Sequence, residues 1–130
     1  MNLIDSSGWL EYFMNGPLAE AYAPYFKKPQ EVTTPTIVLF EVYKKIKGEA
    51  GEEQALMAVN QMEKTNVIPL TEGIALQAAD ISLENKLAMA DSIIYATALQ
   101  RGAKVITSDT DFVDLPHVVY LEDPESEATS

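Results

Sequence analysis

Short extended runs alternate with longer helical stretches along this chain, and that alternation admits few folds. The segments "MNLID" (1–5), "EVTT" (31–34), "NVIPL" (66–70), "AKVITS" (103–108) and "HVVYL" (117–121) read as strands. Between them, "SSGWLEYFMN" (6–15) places Trp9, Leu10 and Phe13 at helical spacing, with Ser6 at its start as the expected cap. "GPLAEAYAPYFKK" (16–28) is a second helical piece, opened by Pro17 and closed near Pro29. Pro35 suits the first turn of a helix that runs through Lys47, with Gly48 as the expected stop. "GEEQALMAVNQMEKT" (51–65) is amphipathic with acids in its first turn, "TEGIALQAADISLENK" (71–86) is helical, and "LAMADSIIYATALQRG" (87–102) ends on Gly102. The strand candidates are apolar runs, not apolar–polar alternations, which is the pattern of strands covered on both faces. This predicts an α/β fold, with a mostly parallel central sheet flanked by helices. A length of 130 residues with 47% apolar content suits one domain with one core. We expect that domain over residues 1–121, followed by an acidic tail, 122–130, without stable structure of its own.

The formal charge is −11, and the tail's acids (Glu122, Asp123, Glu125, Glu127) account for four of it, so the folded part is acidic too. That argues against a broad surface tracking a phosphate backbone; a nucleic acid would have to be met locally, with cations neutralising the acids. Cysteine is absent, which excludes disulfides and thiolate metal sites. No run of eighteen apolar residues occurs, and the first ten residues carry no basic segment ahead of an apolar one. We therefore expect no membrane span, no secretory signal and a cytoplasmic location.

In parallel α/β folds, ligands sit beyond the carboxyl ends of the strands. Asp5 ends the first strand candidate, and Asp109 and Asp111 follow "KVITS" directly. Asp91 opens the long helix leading into that strand, and Glu41 is the odd acid in an apolar stretch, 37–42. Each alone has an ordinary reading. Asp5, Asp91 and Asp109 serve as helix caps or first-turn acids, Asp111 caps the turn around Phe112, and Glu41 points outward. Jointly they say more. If the strands ending in Asp5 and Asp109 are neighbours, the acids meet at one end of the sheet and repel each other. A hard divalent cation relieves that repulsion. Oxygen donors with no cysteine and a single histidine, His117, favour Mg²⁺ or Mn²⁺ over zinc. Carboxylate-held cations suit phosphodiester cleavage. A signalling receiver domain shares the architecture, but it would need paired acids after the first strand and a lone Asp after the middle one. "LIDSS" has one acid and "NVIPLTE" has no Asp.

The motifs "LIDSS", "LFEVYKK" and "LAMADSIIYATALQRGAKVITSDTDF" resemble those of PIN-domain ribonucleases, and most closely the VapC-like toxins of toxin–antitoxin pairs. The resemblance covers the chain to about Leu121, and the last motif is its most specific part. It implies a metal-dependent endoribonuclease with catalytic and metal-binding roles on Asp5, Glu41, Asp91 and Asp109. It makes Asp111 an auxiliary metal acid, and Ser6 and Thr107 hydroxyls that orient the acids. It implies Mg²⁺ or Mn²⁺ as cofactor, an RNA substrate, a homodimer, and an antitoxin whose carboxy-terminal segment occupies the catalytic groove. An RNA-processing nuclease without an antitoxin and a non-catalytic interaction module are the alternatives within the family. Lys44, Lys45 and Lys47 follow Glu41 on its helix and could hold RNA backbone, or simply form a solvated helix end. Trp9, Phe13, Tyr22 and Tyr25 read as core or dimer contacts, and His117 as a surface or strand-start residue.

Overall fold

A computed structural model describes residues 1–122, so the acidic tail, from 123 on, lies outside the described residues. Strands β1 (Asn2–Ile4), β2 (Val32–Pro35), β3 (Asn66–Ile68), β4 (Lys104–Thr107) and β5 (Val118–Tyr120) form one sheet in the order β3-β2-β1-β4-β5. Every pairing is parallel. Among the described residues six α-helices connect and flank it: α1 (Ser6–Phe13), α2 (Ala19–Tyr22), α3 (Thr36–Ala50), α4 (Glu52–Met62), α5 (Glu72–Asn85) and α6 (Met89–Arg101). The expected α/β architecture is therefore observed. No helix among the described residues is long and apolar enough to cross a membrane.

The strand order positions the site. From β1 the chain steps outward to β2 and β3, then returns to the other side of β1 for β4 and β5. The reversal leaves a crevice at the carboxyl ends of β1 and β4, where ligands collect in open parallel sheets. In that pair Ile4 is aligned with Ile106, so Asp5 and Thr107, each one residue further on, are neighbours. Leu3, Ile4, Val105 and Ile106 are fully buried beneath the crevice, in one core with Val38 and Val42 of α3 and Ile94 of α6. Each such side chain contributes about 1.5–3 kcal/mol by leaving water. Trp9 and Tyr22 belong to this core as well.

Two local expectations fail, for identifiable reasons. Helix α1 is capped by Asp5, not Ser6, because the Asp5 carboxylate accepts the Gly8 N–H at 3.0 Å. Helix α3 runs through Gly48, and nothing lies within 4 Å of where a Cβ there would stand. The stop falls at Gly51, whose φ of +93° strains any residue with a Cβ.

Candidate active site

Asp5 is the most constrained of the acids. It is buried at the end of β1, and its two oxygens are both engaged. Oδ1 accepts the Ser7 hydroxyl at 2.8 Å and the Gly8 N–H at 3.0 Å, and Oδ2 accepts the Thr107 hydroxyl at 2.5 Å. The Thr107 oxygen in turn accepts the Asp109 N–H at 2.9 Å. One buried hydroxyl thus couples the ends of two strands. Asp109 Oδ1 accepts the Asp111 N–H at 2.9 Å and caps a single 3₁₀ turn, Thr110–Phe112. In its ordinary reading Asp111 would cap that turn; Asp109 does so instead, and Asp111 is the residue being capped.

Asp91 lies in the first turn of α6, but the N-cap there is Ala88, without a side-chain cap bond. Asp91 is therefore no cap, and its carboxylate faces the other acids. Asp91, Asp109 and Asp111 each present an oxygen, and these oxygens lie within 4.8 Å of one another. Glu41 comes from α3 and is half-buried, and its Oε1 is buried with no hydrogen-bond partner among the described residues.

The electrostatics tie the five acids together. The Asp91 pKa is pushed from 3.8 up to about 7, first by burial and then by the charges of Asp109, Asp111, Glu41 and Asp5. Burial raises Asp5 to about 6; hydrogen bonds from Thr107, Ser7 and Gly8 hold it back, while the Asp109 charge adds to the rise. Burial also raises Glu41, opposed by the Ser6 side chain, so Ser6 acts on Glu41 and the adjacent Ser7 on Asp5. Among the described residues, the ion pairs are Lys45–Glu49 at 2.6 Å and Lys47–Glu52 at 3.7 Å, and neither involves these five acids. A group of oxygen donors in which burial raises the pKa values of Asp5, Glu41 and Asp91, and which no side-chain cation among the described residues compensates, fits a hard divalent cation.

The three lysines do not share one environment. Lys45 and Lys47 are held in their ion pairs, and Lys47 also donates to the Tyr43 hydroxyl at 3.2 Å. Lys44 Nζ lies 5.7 Å over the ring of Phe40, which is 59% exposed. An open trough of about 460 Å³, lined by Phe40, Glu41, Lys44, Lys45, Gly48 and Glu49, follows α3 away from Glu41. His117 has a left-handed φ of +63° just before β5.

Three residues of this network escape sequence reasoning: Ser7, Tyr22 and Ser108. The Tyr22 hydroxyl donates to Ser108 Oγ at 2.9 Å. Its pKa is pushed up to about 12, by burial first and the Asp5 charge second, so it remains a neutral donor. Ser7 was within reach, since an Asp ahead of a helix pairs with hydroxyls two or three residues on. Tyr22 and Ser108 lie 86 residues apart, and no local pattern joins them.

A family model described as "PIN domain" matches residues 3–118. Among solved structures, the chain is similar to a toxin–antitoxin complex from Klebsiella pneumoniae, with 27% identity, a TM-score of 0.78, and coverage of 92% of this chain and 96% of that one. It is similar to FitAcB from Neisseria gonorrhoeae at 21% identity and a TM-score of 0.74, covering 93% and 97% of the two chains. It also shares the fold of VapC20 from Mycobacterium tuberculosis, a toxin that cleaves the sarcin–ricin loop, at 16% identity and a TM-score of 0.70, covering 98% and 95%. A comparison with curated protein sequences gives no match.

Proposed function

The chain belongs to the PIN domain family, and from that premise we propose that it is a metal-dependent endoribonuclease and the toxin of a toxin–antitoxin pair. The observation that carries this reading is the convergence of Asp91, Asp109 and Asp111 oxygens within 4.8 Å, at the sheet's reversal point, beside Asp5 and Glu41. Asp5, Asp91, Asp109 and Asp111 would hold Mg²⁺ or Mn²⁺, with Glu41 at their side. A divalent cation there supplies the charge that activates water and steadies the leaving oxygen in phosphodiester hydrolysis.

The chain's own residues do the rest. Thr107 and Ser7 fix both oxygens of Asp5, so the buried acid cannot turn away from its neighbours. Asp91, with its pKa raised to about 7, is only partly ionised at neutral pH in the free protein and would hold a cation as its carboxylate. Glu41 Oε1 is uncommitted, and burial raises its pKa, which suits a group that accepts a proton. Lys44, free of the ion pairs that hold Lys45 and Lys47, is the lysine placed to meet an RNA phosphate beside Glu41. The partners in this reading are RNA, a cognate antitoxin and a second copy of the chain, all in the cytoplasm.

The test is cleavage of RNA by the purified full chain. Activity should require Mn²⁺ or Mg²⁺, stop on chelation and be absent in Asp91→Asn. Cleavage that persists in chelator, or no cleavage of any RNA from total cellular RNA to defined hairpins, overturns the reading.

A further inference from the structure

Tyr22 stands at the end of α2, outside every motif that suggested the site, yet its ring is fully buried and its hydroxyl reaches the loop after β4. The phenol donates to Ser108 Oγ at 2.9 Å. Ser108 lies between the two residues on which the acid cluster turns. On one side Thr107 donates to Asp5 Oδ2, and on the other Asp109 presents an oxygen within 4.8 Å of those of Asp91 and Asp111. A peg on Ser108 therefore limits how far both neighbours move.

The opposite flank of the ring is just as specific. A Cβ at Gly8 would stand 2.5 Å from Tyr22 Cε1 and 2.6 Å from Ile4 Cγ2. Gly8 is the residue whose N–H binds Asp5 Oδ1. The tyrosine ring thus lies against the turn that caps Asp5 while its hydroxyl ties the turn that carries Asp109. It spans the two strand ends that supply the acids, at a place where only glycine leaves room for it.

We propose that Tyr22 is a positioning residue, a clamp that bridges the Asp5 turn and the Thr107–Ser108–Asp109 turn and sets the spacing of the carboxylates for their cation. The clamp rests on the metal-site reading above and deepens it. It touches neither substrate nor reacting atoms. Its contribution is to hold the turn that carries Asp109, whose oxygen lies within 4.8 Å of those of Asp91 and Asp111, in register with the Asp5 turn before a cation binds, so that binding does not first have to order the loop.

The variant Tyr22→Phe keeps the ring against Gly8 and removes only the hydroxyl. Mn²⁺ affinity of the full chain, measured by the electron paramagnetic resonance of free Mn²⁺, should fall by about 10–100-fold, as losses of groups that orient metal ligands do. Ser108→Ala deletes one of the Tyr22 hydroxyl's two side-chain contacts, the other being Ser7, and should weaken binding in the same direction, and the double variant should be no worse than Tyr22→Phe alone. KM for RNA at saturating Mn²⁺ should stay unchanged, since no RNA contact is lost. Tyr95→Phe is the control. It deletes a comparable phenol bond, to the Pro116 carbonyl at 2.6 Å, and should lower the melting temperature while leaving Mn²⁺ affinity as in the parent. If Tyr22→Phe binds Mn²⁺ within twofold of the parent, or if Tyr95→Phe weakens it equally, the clamp is overturned and Tyr22 is ordinary core. If the parent itself binds no Mn²⁺, the metal-site reading fails first and the clamp falls with it.

Discussion

Replacing Asp91 by Asn should abolish the proposed RNA cleavage and, with no metal present, make the chain more stable. Ionising Asp91 in the fold is opposed by burial and by four neighbouring acids, which is why its pKa stands at about 7 against 3.8. At about 1.4 kcal/mol per pH unit, that difference corresponds to about 4 kcal/mol when the group is fully ionised. Asp91 is half-buried, so water screens the effect, and about 2 kcal/mol is the reasonable expectation. The sign follows from proton binding. Between pH 3.8 and about 7 the folded chain holds a proton that the unfolded chain has released, so stability falls as pH rises through that window. Asn removes this loss. The gain of Asp91→Asn should reach its full value at pH 8 and shrink to about a third of it at pH 5, a difference of about 1–1.5 kcal/mol. Subtracting the two pH values cancels whatever Asn does besides removing charge. Thermal melts in chelator should show the variant higher by about 5–10 °C at pH 8. Adding Mn²⁺ should reverse the order, because ligand at a hundred times Kd stabilises the parent by about 2.7 kcal/mol and the variant by less. A gain that is equal at both pH values, or a variant less stable than the parent at pH 8 without metal, would refute the repulsion argument.

Three further outcomes test other parts of the structure. Thr107→Val leaves Asp5 Oδ2 and the Asp109 N–H without their partner in a buried place, and urea melts should show a loss of about 2–3 kcal/mol together with weaker Mn²⁺ binding. Lys44→Ala should raise KM for RNA by several-fold at low salt with kcat retained, whereas Lys45→Ala, losing an exposed i,i+4 pair, should change stability by no more than about 0.5 kcal/mol. Gly48→Ala places a methyl where nothing lies within 4 Å, inside a helix, and should raise stability by about 0.5–1 kcal/mol in thermal or denaturant melts.

The architecture was legible because it depends on runs. Apolar strands and amphipathic helices alternate along the chain, and the pattern needs no knowledge of which side chains meet. The acids Asp5, Glu41, Asp91, Asp109 and Asp111 were legible as candidates because each sits at an element end or breaks an apolar run. What composition could not supply was the partner of each. Ser6 and Ser7 are adjacent hydroxyls, and only the start of α1 decides that one lies by Glu41 and the other binds Asp5. Gly48 and Gly51 are equally good helix stops in sequence; the backbone turns left-handed at the second alone, since α4 must begin at Glu52. Tyr22 reads as any buried aromatic until its hydroxyl is followed across the fold to Ser108.

The central place of β1 has a consequence for how such a chain is made. Asp5 is synthesised well before the hydroxyl that fixes its second oxygen, which belongs to Thr107, 102 residues later. The early half supplies β2 on one edge of β1, while the other edge waits for Lys104–Thr107. Contacts that distant in sequence close late, after the local helices and the β1–β2–β3 side have formed. A nascent or truncated chain that stops short of Thr107 carries Asp5, Glu41 and Asp91 without the loop that gathers them. Synthesis from the amino terminus thus acts as a safety catch for the nuclease proposed above: the acids that precede β4 stay ungathered until Thr107 and Asp109 have been added.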